Sequence, residues 1–187
     1  AIADEATAAL PPERRAWAEI NDWIRAAGVR AALRHSRFGF LGGNYSGMLD
    51  LYSDFTMLSA QTGMHVEILE MCDLDRCLKA VTDEEVRQKL AEIHAMFEIS
   101  GDSPSDPRVK KPTQEQLAWS ARVAAAQFRL VKEYQLDALA YYYHSSEGNP
   151  YEALQSGFIV GHSLLTAQGV PCAGEADLKT ALAMKIC

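Results

Sequence analysis

Two rhythms of apolar and polar positions alternate along this chain, one with a helical period and one with the short period of a strand. From about residue 12 to 34, behind Pro11 and Pro12, the residues Trp17, Ile20, Trp23, Ile24 and Val29 trace a helical stripe. Arg37-Phe-Gly-Phe-Leu41 is then a short apolar run that stops at Gly42-Gly43, which predicts a strand. A helical stretch from about Leu49 to Thr62 follows and ends at Gly63. Met64-His-Val-Glu-Ile-Leu69 alternates in part, so it predicts a strand with one face less buried, at a sheet edge. Leu74, Leu78 and Val81 mark a short helix, and Thr82-Asp-Glu-Glu85 is a capping box opening a longer one to about Phe97. Thr113-Gln-Glu-Gln116 opens another, to about Tyr134, with Leu117, Val123, Phe128 and Val131 on its apolar side. The segment between these two, Ser100 to Pro112, is a loop by composition. A third strand, Asp137 to Tyr143, leads into the polar loop His144 to Pro150. A helix from about Tyr151 to Ala167, a very short strand at Val170 and a closing helix after Gly174 complete the pattern.

From Arg37 onward, strand and helix alternate. Parallel neighbours need crossover connections, and right-handed crossovers put helices on both faces of the sheet. The expected fold class is therefore α/β: an open parallel sheet of about four strands in a three-layer, flavodoxin-like or Rossmann-like arrangement. The expected strand order is 2-1-3-4, with the alternating second strand at the edge. Residues 1–36 read as an N-terminal helical segment that connects to a preceding domain, and 37–187 as the α/β domain itself.

Composition narrows the function. The 187 residues, 48% hydrophobic and 23% charged, suffice for an ordinary core. A formal charge of -7 leaves no excess of Lys and Arg to displace phosphate counterions, which argues against a nucleic-acid partner. No apolar run reaches membrane-spanning length, and the alanine-rich start lacks the parts of a signal peptide. Cys72, Cys77, Cys172 and Cys187 match no zinc spacing, so they read as reduced thiols in a cytoplasmic protein. The chain starts at Ala1 and closes inside a helical pattern, which is what a piece of a longer polypeptide would do.

In an open parallel sheet, ligands bind beyond the carboxyl ends of the strands, where strand order reverses. The polar residues expected there are Gly42-Gly-Asn-Tyr-Ser-Gly47, Glu70 to Asp73, His144 to Asn149, and Ala173-Gly-Glu-Ala-Asp177. With strands one, three and four as neighbours, Tyr45, His144 and Glu175 would share one rim. Each also has a structural explanation. An acid at a helix start, as Glu175 is expected to be, is favoured by the helix dipole. A histidine in a polar loop is usually solvated, and a Tyr141-Tyr142-Tyr143 run suits a strand. His65 and Glu67 need no function on an edge, and Arg87, Lys89 and Glu92 resemble a solvated face. A dinucleotide site is a weaker alternative. The glycine-rich turn follows strand one and Glu70 ends strand two, but Asn44 stands where the fingerprint needs a glycine beside the pyrophosphate.

Two segments carry a resemblance. Phe38-Gly-Phe-Leu-Gly-Gly-Asn-Tyr-Ser-Gly-Met-Leu-Asp-Leu-Tyr-Ser-Asp54 resembles the start of the central domain in the L-arabinose isomerase and L-fucose isomerase superfamily. Ala173-Gly-Glu-Ala-Asp-Leu-Lys-Thr-Ala181 is similar to that group's AGEGDxKTA motif, with Ala176 in place of its second glycine. The resemblance implies an aldose–ketose isomerase that uses a divalent metal, usually manganese, with an assembly built on trimers. It implies that Glu175 is both metal ligand and catalytic proton carrier. Tyr45 and His144 fall where the family has substrate-pocket side chains, and Tyr141 at the end of the third strand joins them as a sugar-binding candidate. The other metal ligands, a glutamate and two histidines, come later in the family's chain than the equivalent of Cys187. The expectation is thus an isomerase piece, inactive alone, from a homo-oligomeric parent acting on a small sugar.

Overall fold

The computed structural model describes residues 11–144 and 148–187. Residues 1–10 of the expected N-terminal segment, and 145–147 of the loop after the third strand, lie outside the described residues. Helix α1 (Pro12–Leu33) comes first, followed by β1 (Arg37–Gly42), a 3-10 turn (Leu49–Leu51), α2 (Phe55–Thr62) and β2 (His65–Leu69). Then come α3 (Met71–Lys79), α4 (Asp83–Met96), α5 (Gln114–Tyr134), β3 (Ala138–Tyr142), α6 (Glu152–Gln155), α7 (Phe158–Ala167), β4 (Cys172–Ala173) and α8 (Leu178–Ile186).

The four strands are parallel and lie in the order β2-β1-β3-β4, as the alternation pattern predicts. Phe38 is aligned with Val66 on one side and Ala138 on the other, and Leu41 with Leu69 and Tyr141. Because side chains alternate across a strand, this register sorts the sheet into two apolar faces. Leu41, Leu69 and Leu139 pack with Leu74, Val86, Ile93, Leu130, Phe158 and Leu164 of α3, α4, α5 and α7. Phe38, Phe40, Ala138, Ala140 and Ala173 pack with Leu33, Leu58 and Leu178 of α1, α2 and α8. The result is a three-layer α/β sandwich.

Helix α5 is the hub of the larger core. Its buried Ala121, Ala124, Ala125 and Ala126 let neighbouring helices approach closely. Gly161 of α7 uses that space, since a Cβ there would fall 2.8 Å from the Ala124 Cα and 1.7 Å from Gln127 Oε1. The capping boxes at Thr82 and Thr113 both form. Glu85 also binds the Arg129 guanidinium through Nε at 2.7 Å and Nη2 at 2.9 Å, tying α4 to α5. Those Arg129 hydrogen bonds hold the Glu85 carboxyl down at about 2.

Four details differ from the sequence expectation. The second helix starts only at Phe55, because Asp54 caps it by accepting from the Met57 N–H at 2.9 Å. The expected single helix from Tyr151 to Ala167 is two, α6 and α7, broken at Ser156-Gly157. There the backbone comes so close to α5 that a Cβ on Gly157 would lie 2.8 Å from Val123 Cγ2. The last strand is at Cys172–Ala173, two residues beyond Val170. Lys89 does not sit on a solvated face: its ammonium lies 3.3 Å from the Phe128 ring centroid and its side chain is only 12% exposed.

Helix α1 is the exception to the layered packing. Leu33 is its one buried residue and Val29 packs partly beside it. Trp17, Trp23 and Ile24 are 67%, 64% and 62% exposed. The stripe that predicts the helix is therefore real, but apart from Val29 it covers nothing among the described residues.

Candidate functional site

The carboxyl ends of the strands form the rim where the two resembling segments meet. Gly42 ends β1 with φ +85°, and a Cβ there would stand 2.1 Å from the Tyr142 carbonyl oxygen. Only glycine fits both that backbone angle and that approach. The next residue, Gly43, donates its N–H to the same carbonyl at 3.0 Å. This pins the following loop over β3, and the Tyr45 ring stacks on Tyr142 with centroids 4.7 Å apart.

Across the rim, β4 runs into Gly174-Glu175-Ala176. Glu175 and Ala176 have φ of 57° and 59°, two successive non-glycine residues in the left-handed region. Each such residue costs on the order of 1 kcal/mol. The Ala176 N–H donates to the Tyr141 carbonyl at 2.9 Å and the Ala176 side chain is buried, which holds the turn in place. Helix α8 begins only at Leu178, and its first turn is capped by Asp177, which accepts from the Thr180 N–H at 2.9 Å. The expectation that Glu175 occupies the first turn of this helix is corrected here. Asp177 does that work, and Glu175 is left exposed in the turn, with no hydrogen-bond or ion-pair partner among the described residues.

Glu175 is nonetheless electrically close to the tyrosines. Loss of hydration, then Tyr45, then the Glu175 charge push the Tyr142 phenol up. Burial first, then Cys172, then Glu175 raise Tyr141. The two tyrosines lie on opposite faces of β3, as the strand period requires. Tyr142 faces Tyr45, whereas Tyr141 packs among Phe158 and His162, with ring centroids at 5.4 and 3.9 Å. One further contact joins the two segments. Lys179 of α8 donates to the backbone carbonyls of Asp50, at 2.5 Å, and Tyr52, at 3.4 Å.

The structure thus gathers Tyr45, Tyr142 and Glu175 on one rim. His144 is exposed at the mouth of a recess of about 540 Å³ that it shares with Asn44, Glu70, Cys72 and Tyr142. Tyr141 lines a different recess, of about 510 Å³, with His162, Thr166 and Cys172. It supports the Glu175 turn from below instead of facing His144. Sequence reasoning missed Tyr142 and Lys179. The strand period carried the signal for Tyr142, because it places alternate tyrosines on opposite faces.

His162 is 5% exposed and its ring meets the Gln127 amide at 2.9 Å. Burial pushes its imidazole down to about 3 from an ordinary 6.5. The unfolded chain therefore takes up a proton that the folded one refuses. The stability this gives is complete above pH 6.5 and is lost progressively as pH falls toward 3, by about 2 kcal/mol between pH 6.5 and 5. Urea midpoints across that range should fall in the native chain and fall less in His162→Phe. Equal slopes in the two proteins would contradict the assignment.

The rim offers little to a dinucleotide. The helix after the glycine turn starts twelve residues on from Gly43, at Phe55, and its N-terminus already holds the Asp54 carboxylate. Hydrogen bonds from Thr56 and then Met57 keep that carboxyl below its usual range. For a metal, Glu175 presents a carboxylate of a suitably hard type, with no partner among the described residues. Among the described residues, however, no three His, Cys, Asp or Glu converge as a metal-binding group. Nor is any helix among the described residues long and apolar enough to cross a membrane. Compared with known proteins, the chain matches no family model and no curated protein.

Proposed function

We propose that this chain is part of a metal-dependent aldose–ketose isomerase of the arabinose/fucose type, with Glu175 as the proton carrier. One observation carries the reading: a carboxylate held in a strained turn on the sheet rim, with Asp177 as the helix cap in its place, no partner among the described residues, and tyrosines nearby. Left-handed outliers of this kind concentrate at functional sites. Moving a carbonyl between C1 and C2 needs a base that takes the proton from one carbon and returns it to the other. A carboxylate free of ion pairs suits that role. Tyr45 and Tyr142 offer ring faces to a sugar, and His144 lies at the entrance of the adjoining recess.

A divalent metal such as manganese would supply Lewis-acid stabilisation of the developing enediolate. Glu175 can be only one of its ligands, so the remaining donors come from other residues than those described, and the 187 residues alone do not turn over. The intact parent is a cytoplasmic homo-oligomer acting on a small sugar. The recess of about 540 Å³ favours a second reading, a non-catalytic module that holds a small ligand or nucleotide.

Manganese titration followed by electron paramagnetic resonance, with L-arabinose and L-fucose turnover assays, separates the two. This chain should bind the metal weakly and leave both sugars unchanged. A longer polypeptide from the same reading frame, with one further glutamate and two histidines, should bind it tightly and isomerise one of them. Turnover by the 187 residues alone would overturn their expected inactivity, and an inert longer polypeptide with saturable NAD binding would overturn the isomerase reading.

A further inference from the structure

Trp17, Ile20, Trp23 and Ile24 on α1 cover no part of the described fold, yet a helix of this kind gains most of its stability from a packed face. Its positions Trp17, Ile20, Ile24, Ala27 and Ala31 follow the alternating three-and-four spacing of a two-helix seam, with Trp23 beside it. We propose that α1 pairs with α1 of a second copy of this chain, antiparallel, around a two-fold axis.

Three features of the helix fit that occupant. The first is size. Its bulky residues, Trp17, Ile20 and Ile24, precede its small ones, Ala27, Gly28 and Ala31. When Ile20 of one copy meets Ile24 of the other, Trp17 falls on Ala27 and Gly28, where nothing lies within 4 Å of a built Cβ on Gly28. The same register brings the two Trp23 rings together at the axis. The second is charge. Glu13, Glu19 and Asp22 outnumber Arg14 and Arg15 in the first half of the helix, whereas the second half carries Arg25 and Arg30 and no acid. An antiparallel pair sets the net negative half against the basic half, and a parallel pair would set the basic halves together. The third is area. Trp17, Ile20, Trp23 and Ile24, exposed by 67%, 45%, 64% and 62%, offer roughly 500 Å² per copy, so the pair buries about 1,000 Å², the lower bound for a specific interface.

Sedimentation velocity of the full chain from about 1 to 100 μM tests this, the range being set by an interface of that size. The expected result is a species of twice the 20.6 kDa chain mass that populates as concentration rises. Ile20→Glu should shift it to the monomer throughout. The variant keeps its thermal transition, because Ile20 touches neither core cluster. Direction is read by disulfide trapping in a background with Cys72 and Cys187 changed to Ser. A mixture of Ile20→Cys and Ile24→Cys should form the mixed 20–24 bridge, and Ile20→Cys alone should not bridge to itself. A monomer at every concentration, meaning another partner or none covers the face, would overturn the proposal. So would a dimer indifferent to Ile20→Glu, or efficient 20–20 bridging.

Discussion

Gly42→Ala should lower the unfolding free energy by about 3 kcal/mol, the largest loss expected from adding a single methyl group at the rim. Two effects act together. An alanine at φ +85° is strained on its own, and its Cβ would stand 2.1 Å from the Tyr142 carbonyl oxygen. That oxygen is backbone and already accepts from the Gly43 N–H, so it cannot rotate aside as a side chain would. Relief requires β1 and β3 to separate at their carboxyl ends, which undoes the Leu41–Tyr141 and Gly42–Tyr142 register. The midpoint of thermal unfolding should drop by roughly 10 °C for a domain of this size. Gly43→Ala is the control, since nothing lies within 4 Å of a built Cβ there and no positive φ is required. Similar losses for both variants would show that the close approach is not the cause.

Substitutions at Glu175 should split stability from activity. Glu175→Gly removes left-handed strain at an exposed position with no hydrogen bond or ion pair to lose among the described residues, so the chain should gain about 1 kcal/mol in urea unfolding. Glu175→Gln keeps the strained backbone and should leave stability within about 0.5 kcal/mol of the native value. In a polypeptide with all metal ligands, both variants should lose turnover by about a thousandfold or more, because neither can carry a proton. A Glu175→Gln enzyme with near-native turnover would remove Glu175 from the chemistry. A destabilised Glu175→Gly chain would show instead that the acid supports the turn.

Much of this architecture was readable from the sequence, for identifiable reasons. Strand order followed from the partly alternating β2, whose Ile68 is exposed at the sheet edge while Leu41 and Leu139 are buried at its centre. Both threonine capping boxes formed because a local pattern of side chain and backbone N–H decides them. Reading failed where tertiary contact overrode local pattern. The break at Gly157 depends on Val123, more than thirty residues earlier, and the burial of Lys89 depends on Phe128. The site divided in the same way. The rim position of Glu175 was legible from strand and turn signals, but its release from the helix was not. Asp177, two residues on, was an equally good cap, and only the backbone angles show which acid was used.

Lys179 has a broader consequence. Its ammonium grips the carbonyls of Asp50 and Tyr52 from the helix that follows Glu175, so the chain's two motif segments are bolted together across more than a hundred residues of sequence. The tyrosine that would stack on a sugar and the acid that would deprotonate it are thereby held on a common frame. Lys179 is thus a single side chain through which the segment after Tyr45 and the helix after Glu175 touch, and its substitution bears on both at once.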